Sequence, residues 1–276
     1  CPKGEICSTV SDAYKRQGVA QMRVKNIKSM TSLEKGLHLL LLFAEEPYEY
    51  TVPKLAKITG LNRTTVYRNI VSLEEFGLLI KSEKERSYKL GPMAYRLGAI
   101  YLRNGNYEEN ILNILENIAK ESRESVGLAR REGNRVVSIY SVEIHKPVKM
   151  NDKPGEFYPM NMGTYGKCLM AYHDPVIVDK LFDQNAPFEK RTKNTITEKE
   201  ELFREYEKIR RDGFVTSIEE TFPLVIGIGV PLVGSTGDVK NVVSISFFKE
   251  ENWREKLESL KELLFRYKPE LEKYII

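Results

Sequence analysis

Leu55-Ala56-Lys57-Ile58-Thr59-Gly60-Leu61-Asn62-Arg63-Thr64-Thr65-Val66-Tyr67-Arg68 sets two amphipathic stretches across a three-residue break. Thr51 is placed to cap the first, and Pro53 falls in its opening turn, where a missing N–H costs nothing. Leu55, Ala56 and Ile58 form its apolar side. Gly60 ends it, as a residue able to turn left-handed can. Asn62 then caps a longer helix, expected from Arg63 to about Phe76, with Val66, Ile70 and Leu73 in one stripe. Arg63, Thr64, Tyr67 and Arg68 fall largely outside that stripe. Such a pair lets the second helix enter a DNA major groove while the first braces it across the backbone.

Upstream, Leu33, Leu37, Leu40, Leu41 and Ala44 follow helical spacing from a capping residue at Ser32. Tyr48 to Thr51 reads as a short extended link. Downstream, Gly77 stops the long helix, Leu78-Leu79-Ile80 begins a strand, Ser82 to Arg86 makes a polar turn, and Ser87 to Leu90 returns. Three helices and a two-stranded wing make residues 30–93 a mainly α winged helix-turn-helix domain. Its candidate DNA contacts are Asn62, Arg63, Thr64, Thr65, Tyr67 and Arg68 on the second helix, with Lys84 and Arg86 at the wing tip. Arginine forks onto guanine or neutralises phosphate, while hydroxyls and amides bond base edges or backbone. Charge agrees. Residues 1–105 carry 17 Lys/Arg against 10 Asp/Glu, a sum of +7; the remainder carries 26 against 29, a sum of −3. The front of the chain is built to meet a polyanion, double-stranded DNA.

At 276 residues the chain has room for two domains. Residues 1–29 show no periodicity and read as a tail without an assigned role. Residues 94–104 read as a helical linker with Leu97, Ile100 and Tyr101 on its apolar side. Over 105–276 the period alternates. A helix carries Ile111, Ile114, Leu115 and Ile118, and strands follow at 126–131 and 135–142 around a Glu132-Gly133-Asn134 turn. Helical patterns cover 164–183 and 197–212, strands 214–219, 224–233 and 242–248, and a helix runs from about Trp253. This is an α+β domain.

The longest apolar run, Leu39 to Ala44, is far short of the roughly 20 residues a membrane span needs. With no leader-like pattern either, the expectation is a cytoplasmic protein that meets no membrane. Cys1, Cys7 and Cys168 cannot frame a chain of this size with disulfides, and no zinc spacing surrounds them. No phosphate-binding or dinucleotide glycine loop occurs. Cys168 and His173 as a thiol–imidazole pair would diverge on one helix, and Glu219 and Glu220 on a strand would face opposite ways, as salt-bridging groups do. The expectation is therefore no enzyme and no cofactor. A metal-responsive regulator using His145, Cys168 or His173 is the rival reading.

In this order and spacing, Ser32-Leu33-Glu34-Lys35-Gly36-Leu37, Leu55-Ala56 to Gly60-Leu61, Thr64 to Arg68, and Tyr88-Lys89-Leu90-Gly91 resemble the isocitrate lyase regulator (IclR) family of transcription factors. The resemblance extends over about residues 31–272, through Pro159 to Leu169, Arg211 to Glu220, Val225 to Pro231 and Val243 to Ser246. It implies a GAF-like effector domain and a homodimer or homotetramer on a pseudo-palindromic operator, with half-sites about one DNA turn apart. It also implies a regulator, repressor more often than activator, whose effector is a small molecule, in the usual case a small organic acid.

By the same resemblance the effector pocket is lined by Thr164, Tyr165, Gly166, Ser217, Val225, Gly227, Ser244 and Ser246. The physics of the residues agrees. Thr164 to Lys167 opens a helix, whose free N–H groups favour an anion. Ser244 and Ser246 share one strand face, and Gly227 and Gly229 leave room beside them. The family usually has small residues where Thr164 and Tyr165 stand, and commonly Asp at the place of Ser217. A pocket narrowed by Tyr165 and less polar than usual is expected.

Overall fold

A computed structural model of the chain describes residues 27–82, 86–104, 109–144 and 153–275. They form two compact units that divide between residues 105 and 106.

The first unit runs α1 (Ser32–Leu42), β1 (Tyr50–Thr51), α2 (Val52–Thr59), α3 (Arg63–Glu75), β2 (Leu79–Lys81), β3 (Ser87–Leu90) and α4 (Pro92–Asn104). Thr31, one residue before Ser32, caps α1: its hydroxyl accepts from the Glu34 N–H and the Glu34 carboxylate accepts from the Thr31 N–H. Leu39, Phe43, Leu55, Val66, Ile70 and Leu79 lose all exposure where these elements meet, which stabilises the unit by roughly 1.5–3 kcal/mol for each such side chain. The extended link after α1 is itself a strand. Tyr50 and Thr51 pair with Tyr88 and Ser87, so the wing is three-stranded in the order β1-β3-β2. In α4, Tyr95, Leu97 and Tyr101 are exposed.

The second unit runs α5 (Glu109–Ser122), β4 (Ser125–Glu132), β5 (Arg135–Val142), β6 (Phe157–Tyr158), α6 (Gly163–Ala171), α7 (Pro175–Asn185), α8 (Lys199–Asp212), β7 (Val215–Ile218), β8 (Val225–Val233), β9 (Val239–Phe248) and α9 (Trp253–Glu272). The strands form one antiparallel sheet in the order β6-β5-β4-β9-β8-β7. This is the α+β architecture expected from the alternating periods. The helical pattern at 164–183 is two helices rather than one. Asp174 accepts from the N–H groups of Val176 and Ile177 and starts α7 afresh with Pro175 in its first turn. Among the described residues no helix is long and apolar enough to cross a membrane.

Strand register assigns the two faces of the sheet. Ile226, Ile228 and Val230 stand opposite Phe247, Ile245 and Val243, and Val126 and Leu128 extend the rows. All are buried, and α5 and α9 pack on these strands. The opposite face carries two rows made mostly of small residues. One row is Ser217, Gly227, Ser246, Ser125; the next is Val215, Gly229, Ser244, Gly127, Ser141. Helix α6 lies on that face, buried from Thr164 to Ala171.

Candidate DNA-reading surface and effector site

The Asn62 Oδ1 accepts the Thr65 N–H at 2.7 Å, and the Thr65 carbonyl accepts from Asn69 Nδ2 at 2.8 Å. Asn62 and the half-buried Thr65 thus hold the start of α3 in shape, which leaves Arg63, Thr64, Tyr67 and Arg68 as its exposed face opposite buried Val66 and Ile70. Gly60 takes a left-handed φ of 69° and closes α2 with its N–H on the Ala56 carbonyl, so the three-residue break is fixed by backbone hydrogen bonding as well as by length. Gly36 lets α1 approach α3: a Cβ there would meet Asn69 Oδ1 at 3.0 Å. Arg86 is exposed beside β3; Lys84 lies outside the described residues. Lys54, Lys57, Lys81 and Lys89, not singled out from the sequence, are exposed too. Only the charge imbalance of the first 105 residues pointed to them.

In the second unit the candidate effector residues converge on the small-residue face. Thr164 Oγ1 and Ser244 Oγ are 2.7 Å apart and share a hydrogen bond. A Cβ on Gly227 would stand 2.9 Å from the Thr164 methyl and 3.6 Å from Ser246 Oγ, so the room that glycine leaves is filled by Thr164. Ser217 pairs with Gly227 on the outer strand, and Val225 continues the same face opposite Phe248. Two candidates play a different part. Tyr165 is buried in the apolar cluster, its ring edge-on to Tyr158 at 4.9 Å. Gly166 is where α6 meets the preceding loop, since a Cβ there would overlap the Pro159 carbonyl oxygen.

The helix start does not wait for a ligand. The Gly163 N–H already donates to Glu220 Oε2 at 3.1 Å, and Glu220 Oε1 accepts from Lys167 Nζ at 2.6 Å. Lys167 is 1% exposed and also donates to Glu205 Oε1 at 2.9 Å and the Thr216 carbonyl at 2.8 Å. Burial pushes the Glu220 carboxyl above the ordinary carboxylate range, against the pull of the Lys167 charge. The Glu220 carbonyl accepts from Thr195 Oγ1 at 2.7 Å, Tyr206 Oη donates to the Met160 carbonyl at 2.8 Å, and Arg210 donates to the Ala171 carbonyl at 2.6 Å. Helix α6 is therefore tied at both ends, by Glu220 at its start and by Glu205 and Arg210 of α8 further along. Glu219 bridges Lys249 at 2.6 Å, so both neighbouring glutamates are salt-bridging groups, as expected.

The face is more hydroxylated than the sequence suggested. Ser125, Ser138 and Ser141 join Ser244 and Ser246 on it, because the register places them opposite Ser246, Ala129 and Gly127. Cys168 is fully buried and its thiol is pushed up by desolvation, the reverse of what a thiolate nucleophile needs. His173 lies beyond the end of α6, with Nε2 3.1 Å from Asn134 Oδ1, and its pKa is lowered by burial and then by Arg131. His145 lies outside the described residues, and among those described no group of three His, Cys, Asp or Glu side chains is arranged to hold a metal.

Comparison with known proteins places these two units in a family. The model of the IclR helix-turn-helix domain matches residues 32–82, and that of the bacterial transcriptional regulator IclR C-terminal domain matches residues 99–267. The chain is 26% identical over 235 residues to the HTH-type transcriptional regulator KipR of Bacillus subtilis, covering 83% of this chain and 90% of that protein. The crystal structure of the Thermotoga maritima IclR superposes with a TM-score of 0.71 at 27% identity, covering 88% of this chain and 97% of the other. An IclR homolog from Microbacterium hydrocarbonoxydans complexed with 4-hydroxybenzoate shares the fold, with a TM-score of 0.69 at 21% identity over 87% of this chain and 99% of that one. A reading helix capped by Asn62, a wing, and a second unit matched along most of its length leave one assignment: the chain belongs to the IclR family of bacterial transcriptional regulators.

Proposed function

We propose that the chain is a cytoplasmic, sequence-specific transcription regulator, a repressor, whose affinity for a pseudo-palindromic operator is set by a small molecule bound on the serine- and glycine-lined face of its second unit. The observation that carries the DNA half is the exposed row Arg63, Thr64, Tyr67, Arg68 on a helix whose other side is buried. Arg63 and Arg68 read bases or clamp phosphates, and Arg86 reaches the flanking backbone or minor groove, the role the sequence also gives Lys84. Residues 30–93 make the reading domain, 94–104 the linker and 105–276 the sensor. A homodimer or homotetramer presents two reading helices to the two half-sites, and the exposed Leu97 and Tyr101 of α4 suit such self-association.

The effector half rests on the convergence of Thr164, Ser217, Gly227, Ser244 and Ser246 around the 2.7 Å Thr164–Ser244 hydrogen bond. That an IclR homolog has been crystallised with 4-hydroxybenzoate supports a sensor unit open to small organic molecules. An effector acts by preferring one arrangement of the regulator over another, with a coupling typically of 1–3 kcal/mol, or about 5- to 150-fold in operator affinity. The test is Ser244→Ala, which deletes the hydroxyl and adds no atom to the buried face. It should cost the sensor unit about 1 kcal/mol through the lost hydrogen bond. It should also abolish the melting-temperature rise given by any library compound that stabilises the wild type, while leaving effector-free operator binding unchanged. Compounds that stabilise both proteins equally would place the effector elsewhere.

A further inference from the structure

We infer that this sensor unit selects an uncharged, hydroxyl-bearing molecule, a polyol or neutral sugar, over the carboxylate of the same skeleton. The inference rests on the proposed placement of the effector on the α6 face of the sheet. Two features that would attract a carboxylate there, the first N–H of α6 and the buried cation beside it, are already in use. The first N–H of α6 donates to Glu220 Oε2 at 3.1 Å, so a carboxylate of the protein itself stands at the helix start. Lys167, the buried cation beside it, has three N–H donors and three partners: Glu220 at 2.6 Å, Glu205 at 2.9 Å and the Thr216 carbonyl at 2.8 Å. With Lys167 positive and Glu205 negative, the trio sums to zero if Glu220 holds a proton and to −1 if it does not; it is never positive. Arg131 shares the face only at its far end, where it donates to the Gly133 carbonyl and feels Asp238. Its Nε is buried with no hydrogen-bond partner among the described residues, but Arg131 stands four positions along β4 from Gly127, the residue paired with Ser244, and so lies away from the Thr164–Ser244 contact.

The face does offer hydroxyls. Ser125, Ser138, Ser141, Ser244 and Ser246 share it by strand register. Ser138 is 1% exposed and its Oγ has no hydrogen-bond partner among the described residues. A buried hydroxyl without a partner is costly, and a ligand hydroxyl or carbonyl relieves that cost without bringing a charge that must shed its water. Discrimination then follows from desolvation: the neutral compound exchanges hydrogen bonds, whereas the carboxylate loses hydration beside a site that is neutral or negative.

Calorimetric titration of the full-length chain with matched pairs tests this: glycerol and glycerate, xylose and xylonate, glucose and gluconate. In at least one pair the neutral member should bind tenfold or more tightly than its acid, and Ser244→Ala should weaken it by a similar factor. Glu220→Gln keeps an acceptor for Lys167 and removes the charge, so it should narrow the ratio within that pair; an unchanged ratio would overturn the part given to Glu220. An acid that binds as tightly as its neutral partner, or no binding by any neutral member, overturns the inference. Binding that Ser244→Ala leaves untouched would instead count against the placement of the effector site itself.

Discussion

Arg63→Ala and Arg68→Ala are each expected to weaken binding to a selected operator by about 5- to 150-fold, the equivalent of roughly 1–3 kcal/mol for a lost arginine fork on a base. Both side chains are exposed on α3, so neither substitution removes packing, and the melting temperature of the reading unit should stay within the small range of ordinary surface changes. The two modes of contact separate in the data. An arginine that reads a base loses affinity for its own operator and relaxes preference at one position. An arginine on phosphate loses affinity uniformly across sequences and lowers the salt slope by about 1. Fluorescence anisotropy with operator and scrambled duplexes distinguishes them, and full affinity in both variants would remove α3 from the role of reader. Asn62→Ala should behave otherwise, because its Oδ1 is committed to the Thr65 N–H: the loss there is about 1 kcal/mol of helix-cap stability.

The second large effect belongs to the buried ion cluster. Lys167→Met removes the cation and leaves Glu220, 7% exposed, beside Glu205. Stranding a buried carboxylate in this way costs about 3–5 kcal/mol, read as a large fall in the thermal transition of the sensor unit. The sign of the pH dependence follows from burial. A carboxyl whose pKa is raised on folding binds its proton more tightly in the native state, so the native state loses ground as pH rises through that pKa. Burial already raises Glu220, and losing Lys167 raises it further. The deficit of Lys167→Met should therefore shrink on acidification from pH 7 towards pH 5, while Lys167→Met/Glu220→Gln should recover much of it at pH 7. A deficit that is small, or that grows in acid, would mean that Glu220 is not held as an ion by Lys167.

How far each part could be read from the sequence follows from the range of the interactions that make it. The helix-turn-helix is written in local signals: Thr51 and Asn62 cap, Gly60 turns left-handed, and Val66 and Ile70 fall on one stripe. These act within four residues, so spacing alone reveals them. The β1 strand escaped notice because its two residues are strand only by virtue of Tyr88 and Ser87, far along the chain. The break at Asp174-Pro175 was visible in principle as a cap followed by proline, but apolar spacing on both sides masked it. In the sensor unit, Ser244 and Ser246 could be paired from period two, whereas Ser125, Ser138 and Ser141 join them only through register, and an irregularity at Leu128/Ala129 decides which β5 residues face inward. Glu220 meets Lys167 across 53 positions and Gly163 across 57. No local pattern announces that contact, which is why the start of α6 read as open to an anion.

The most direct measurement is the affinity of the intact chain for duplex DNA as a function of salt. The account predicts clear association at low ionic strength and a linear fall of log affinity with log salt concentration, as lysines and arginines of the first unit displace counterions from phosphate. Failure to bind any double-stranded oligonucleotide at low salt, or binding indifferent to salt, would contradict it.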